Sequence, residues 1–205
     1  MQPHALELAL RTHSGHFLCE RIHAGGGTRE VPFHHEVAPP VPPGLPPVAG
    51  RVDEFYRHFG SVTLYHDAAS GDAGRFIAPV AAWPALREGF GAWIAALGDD
   101  EDGLRPAWLG SALVVGEVPG SGNYILVATE GDRAGHVFEF DHDGFEFRAR
   151  APDLFAYVAA WLRPDDAMLV DMASHMRFAG DDPAVQWWIR ELHDGDGLRA
   201  STSAG

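Results

Sequence analysis

Helices and strands packed into one globular domain, with extra segments at both ends, is the fold this 205-residue sequence predicts. Three observations predict it. Apolar residues recur at helical spacing in RVDEFYRHF and in DLFAYVAAWL. Short alternating runs such as SVTLYHD and HVFEF are separated by glycine, proline and aspartate turns. Hydrophobic residues make up 46% of the chain, with six Trp and twelve Phe, which is enough for a sizeable core.

Taken in order, HALELALRTHSGHFLCERIHAGGG accommodates one helix or two short strands around Ser14-Gly15, and ends in the flexible Gly25-Gly26-Gly27. Residues 37–50, VAPPVPPGLPPVAG, carry six prolines and read as an extended connector, because proline fixes φ and removes amide donors. Val52, Phe55, Tyr56 and Phe59 then fall on one helical face, which Gly60 closes. In SVTLYHD, Val62, Leu64 and His66 alternate against Thr63 and Tyr65 as a strand. A second helix spans Trp83 to Leu97, with Pro84 in its first turn and Leu86, Phe90, Trp93 and Leu97 as its stripe. The acidic loop DDEDG follows. LGSALVVGEVP and NYILVATEG read as strands joined by the turn Pro119-Gly120-Ser121-Gly122.

Asp143-Gly144 marks the tip of a hairpin. With those two residues in the turn, His142 faces Phe145, Asp141 faces Glu146, Phe140 faces Phe147 and Glu139 faces Arg148. Phe138, Phe140, Phe145 and Phe147 then share the core face, and the charges share the other. The Phe140–Phe147 and Glu139–Arg148 pairs favour this register by about 0.2–1 kcal/mol each. Asp141 opposite Glu146 is a like-charge pair, as expected of a surface awaiting a cation. Leu154, Phe155, Val158, Trp161 and Leu162 give another helical stripe. Beyond Pro164 two more helices are expected, one of them AVQWWIRELH behind the cap Asp182-Pro183, and the tail from Arg199 reads as frayed. Adjacent Trp187 and Trp188 cannot share a helix face, which points to a homodimer or subdomain contact.

The order of these elements resembles the SUKH superfamily, the group of fungal cell-wall-synthesis regulators and bacterial Syd-like proteins. A proline-rich lead-in, a helix ending FYRHFG, a Trp-containing helix, the core GEVPGSGNYILVATEGDRAGHVFEFDHDGFEF and the helix DLFAYVAAWL carry the resemblance, over about residues 46–163. The resemblance implies an α+β domain with a mainly antiparallel sheet flanked by helices. Residues 1–45 become an N-terminal extension and residues 164–205 a C-terminal helical one. It also implies a function, since many bacterial members are immunity proteins that bind a cognate toxin.

Charge narrows the partner. Acidic residues number 29 against 15 basic ones, for a net charge of −14. Such a field repels nucleic acid and membrane phosphates and attracts basic proteins. Glu117, Glu130, Asp132, Asp141, Asp143 and Glu146, with the DDED run at 99–102, are the candidate partner-binding carboxylates. Every basic residue is Arg, which removes Walker, Schiff-base and Ser-Lys chemistry. The lone Cys19 fits a reducing cytoplasm, and no run is apolar enough for a signal or a membrane span.

Twelve histidines raise a metal-dependent enzyme as the rival, with His13-x2-His16 and His34-His35-Glu36 as ligand sources. Neither matches HExxH, and no cysteine cluster completes a structural site. The DHDG run falls short of a calcium loop, because it offers two aspartates and its phenylalanines face the core. Ser121 lies in a turn, outside any GxSxG elbow. The expectation is therefore a non-enzymatic binding module without metal or cofactor: an immunity protein, or otherwise a housekeeping scaffold.

Overall fold

The computed structural model describes residues 2–21, 26–40, 51–96, 105–176, 178, 186–195 and 197–204. Among them, ten strands form one antiparallel sheet. In chain order these are β1 (Gly15–Arg21), β2 (Thr28–Ala38), β3 (Ser61–His66), β4 (Arg75–Ile77), β5 (Leu113–Val118), β6 (Asn123–Val127), β7 (Val137–Asp141), β8 (Glu146–Ala151), β9 (Trp187–Asp194) and β10 (Gly197–Ser201). Spatially the order is β10-β9-β1-β2-β3-β4-β5-β6-β7-β8. Five helices accompany them: α1 (Pro3–Thr12), α2 (Val52–His58), α3 (Trp83–Ala96), α4 (Leu154–Trp161) and α5 (Asp166–His175). The fold is α+β, with helices on a large antiparallel sheet.

The sheet carries a core on each face. On one face α1, α2, α4 and α5 pack over residues from nearly every strand, among them Phe17, Phe33, Leu64, Ile125, Val137 and Ile189. On the other, α3 and the 3-10 turn Ala107–Ser111 cover β5 to β8 and bury Phe90, Leu109, Tyr124, Leu126 and Phe140. Burial on both faces explains why β6, NYILV, runs apolar from Tyr124 to Val127 without alternation and is buried at every position. In β2 the described residues alternate instead, with Val31, Phe33 and His35 inward. Gly116 is required in β5, since a Cβ there would lie 2.2 Å from the Phe76 carbonyl oxygen.

Several expectations hold. Val52, Phe55, Tyr56 and Phe59 are all buried, and α2 stops at His58, just before Gly60. Asp153 caps α4 by accepting from the Ala156 amide at 2.7 Å. The N-terminal segment contains both alternatives, a helix and then strands. Residues 41–50, the DDED run at 99–102, Leu97 and the cap Asp182-Pro183 lie outside the described residues.

Two expectations for the C-terminal segment fail for identifiable reasons. AVQWWIRELH is strand at its described end, from Trp187, not helix. Against β1, β9 has a bulge that leaves Arg190 unmatched, so the buried Ile189 and Leu192 sit three apart and imitate a helical stripe. As strand neighbours, Trp187 and Trp188 point to opposite faces, which removes the helical premise for a contact there. The tail is ordered as β10: Ala200 is buried, Arg199 pairs with Asp194 at 2.7 Å, and the Ser201 amide donates to Asp166 at 2.7 Å.

In β3 the alternation breaks. Tyr65 adopts φ 58°, a left-handed conformation that costs a non-glycine residue about 1–3 kcal/mol. Its ring turns into the core, where the hydroxyl donates to the Trp161 carbonyl at 2.6 Å. His66, expected inward, is turned to the opposite face.

Candidate functional site

The β7–β8 hairpin takes the expected register: Phe140 opposite Phe147, Glu139 opposite Arg148 and Asp141 opposite Glu146. Its connection is longer than two residues, running through 142–145, and Phe145 rather than Gly144 has the positive φ, 50°. The aromatic face packs as expected. Phe140 lies 5.2 Å from Phe90 and from Phe147, and Phe138 stacks on Trp108 at 4.1 Å. The like-charge pair of Asp141 and Glu146 is offset within the chain. Arg148 bridges them at 3.2 and 2.7 Å.

Beside this hairpin end His142 and His175 are joined by the buried Asn123. Asn123 Oδ1 accepts from the His142 backbone amide at 2.9 Å and from ring Nδ1 at 2.8 Å, so its amide nitrogen, 3.3 Å away, faces His175 Nε2 as donor. Burial holds the His175 imidazole below its ordinary pKa, against the pull of Asp171 and Asp141.

The six candidate carboxylates do not form one patch. Asp141, Asp143 and Glu146 gather at the hairpin end, with Asp143 81% and Glu146 57% exposed in their side chains. Glu130 and Asp132 lie within the connection between β6 and β7, at the opposite end of β7. Glu117 sits in β5 between Phe76 and Tyr124, half-buried, and burial pushes its carboxyl up.

Sequence reasoning placed Glu139 among the solvent-facing charges, but it is 5% exposed. Arg75 Nε donates to Oε1 at 2.9 Å, Arg150 Nε donates to Oε2 at 2.7 Å, and the Tyr157 hydroxyl donates to Oε1. The fully buried Arg75 also donates to Asp171 and, at 2.7 Å, to the Gly74 carbonyl, and it lies 4.0 Å over the Trp161 ring. Burial works against both charges, yet Arg75 and Arg150 hold the Glu139 carboxyl below its ordinary range, while Glu139 and Asp171 keep Arg75 protonated. Burial and Glu139 push the Tyr157 hydroxyl well up. Strongly perturbed clusters mark active sites in many enzymes. Here the groups are paired with one another, and they clamp β4, β7, β8, α4 and α5 together. The signal for this network was charge inside apolar runs, Arg75 before FIAPV and Asp171 within LVDMA, because buried charge requires a partner.

The N-terminal histidines divide between the two faces. His16 stacks on His193 at 5.0 Å on the outer face. His13 and His35 face the core, with His13 Nδ1 2.8 Å from His35 Nε2. Since His35 Nδ1 accepts the Tyr65 amide at 3.0 Å, its Nε2 carries the proton and donates to His13. Burial, reinforced by His13 and His34, lowers His35 to about 3. The folded chain therefore favours neutral His35, and stability is lost as pH falls below the ordinary value near 6.5, at up to about 1.4 kcal/mol per pH unit. We expect the His35 ring NMR signals to stay at their neutral positions from about pH 8 to 5. A titration midpoint near 6.5 would contradict this burial.

Two groups of side chains have metal-binding geometry among the described residues: His34, Glu36 and His66, and Asp141, His142 and Asp143. A groove of about 530 Å³ lies between α3 and residues 105–110, but its Arg87 and Arg105 donate to the carbonyls of Ala112 and Ile94. Cys19 is buried, and burial pushes its thiol up to about 12, which leaves it unreactive. Among the described residues no helix is long and apolar enough to cross a membrane. No protein-family model, curated protein or solved structure matches the chain.

Proposed function

We propose that the chain is a non-enzymatic, cytoplasmic binding module that neutralises a basic protein, most simply a cognate toxin, by occupying it. One observation carries this reading: the exposed carboxylates of Asp143 and Glu146 stand at a hairpin end on a chain of net charge −14. Arg148, paired also with Asp141, positions Glu146 in advance, and Asp143 lies beside the His142 ring at 3.1 Å. Both Arg148 bonds to Glu146 go to Oε2, so Oε1 remains to accept from an incoming Arg or Lys. The surrounding negative field steers a basic partner toward this end and disfavours nucleic acid and anionic lipid. The resemblance to the SUKH superfamily supports the immunity class, and the single cysteine supports a reducing compartment.

The test is capture on the immobilised full chain at low and high salt, followed by affinity measurement with the protein recovered. A single basic protein near one-to-one is expected, released as salt rises. Combined Asp141→Asn, Asp143→Asn and Glu146→Gln should weaken it by roughly tenfold or more and flatten the salt dependence. Affinity that ignores both salt and these substitutions would overturn the proposal.

A further inference from the structure

Strand alternation sorts three consecutive residues of β2. His35 faces the core, while His34 and Glu36 stand together on the opposite face. His66 of β3 is the cross-strand partner of His34. Plain alternation would turn His66 inward, since Val62 and Leu64 are buried and share its parity. The bulge prevents this. Tyr65, at φ 58°, takes the core position and hands the outer one to His66. The His35 ring fixes the bulge by accepting the Tyr65 amide. A strained residue thus brings a second imidazole beside the first, with ring centroids 5.2 Å apart.

The distances suit a metal ion. Glu36 Oε1 lies 3.0 Å from His66 Nδ1 and 3.5 Å from His34 Nε2, and all three ligand atoms lie within 4.8 Å of one another. Ligand atoms around tetrahedral zinc, with bonds of about 2.0–2.1 Å, are about 3.3 Å apart. His66 Nδ1 is buried and makes no hydrogen bond, despite its nearness to Glu36. His34 and Glu36 are half-exposed, so the outward side is open to solvent. The rival group is already engaged: Arg148 holds Asp141 and Asn123 holds His142 Nδ1.

We propose that His34, Glu36 and His66 bind a divalent transition-metal ion of the zinc class, with three protein ligands and an outward position for water or a fourth donor. Two imidazoles and one carboxylate favour such borderline ions over calcium or magnesium. The site stands apart from the carboxylates that meet the basic partner, so its failure would leave that reading untouched.

The experiment titrates metal-free, untagged full-length protein with Co²⁺, follows the visible d–d band, and then displaces cobalt with Zn²⁺. One equivalent is expected, displaced by zinc. His34→Gln and Glu36→Gln alter half-exposed side chains and should keep the fold, as circular dichroism would verify. Each should weaken cobalt binding by roughly tenfold or more. His66→Gln should do the same, and if that variant unfolds the other two decide. His16→Gln, His193→Gln and His142→Gln should bind as the parent does. Absence of stoichiometric binding, or binding unchanged in His34→Gln and Glu36→Gln, would overturn the site.

Discussion

Replacing Arg75 with methionine is expected to lower the unfolding free energy by about 3–5 kcal/mol, more than any charge change at the hairpin end. Arg75 is 1% exposed, and its guanidinium serves Glu139, Asp171 and the Gly74 carbonyl while covering the Trp161 ring. Without it Glu139 keeps Arg150 and Tyr157, but its buried charge is only partly offset. The loss reflects that stranded carboxylate more than the worth of the original pair. Glu139→Gln in the same chain should therefore recover part of it, giving a coupling of about 0.5–3 kcal/mol in a double-mutant cycle. Urea unfolding of the four proteins measures this. A loss below about 1 kcal/mol in the single variant would show that Arg150 compensates Glu139 unaided.

Phe140→Ala should cost about as much, roughly 3–5 kcal/mol, by a different route. Phe140 is fully buried at the centre of the smaller core, within 5.8 Å, between ring centroids, of Phe90, Phe145 and Phe147. Truncation leaves a cavity beneath α3, next to Phe90 and Tyr124. The damage should be local before it is global. Hydrogen exchange should accelerate first in residues 83–96, while α4 and β1 keep their protection. Uniform acceleration across the chain would show that the two cores unfold as one.

What the sequence revealed and what it concealed divide by the range of the interactions. The helix from Val52 and the register of the hairpin around Phe140 and Phe147 depend on neighbours, so spacing and turn residues were enough. A bulge defeats that logic. At Arg190 it made a strand look helical, and at Tyr65 it reversed the side on which His66 emerges. Partners distant in the chain were equally hidden, because nothing near Arg75 names Asp171 or Glu139 as its counter-ions. The split of the carboxylates was legible in principle. Glu130 and Asp132 precede β7 and Asp143 follows it, and the two ends of a strand cannot share a patch.

The placement of β1 has a further consequence, for the order in which the chain can fold. β1 lies between β2, its immediate successor, and β9, whose residues 187–194 come near the end of the sequence. The β1–β2 hairpin can close as soon as both strands exist, as can the successive pairs from β3 to β8. The other edge of β1 stays unpaired until residues 187–194 have been synthesised. Closing so long a loop is entropically costly and slow compared with local pairing. During that interval the exposed edge can pair with another nascent chain. The late return of β9 and β10 therefore acts as the closing step of assembly, and the period before it is when aggregation competes with folding.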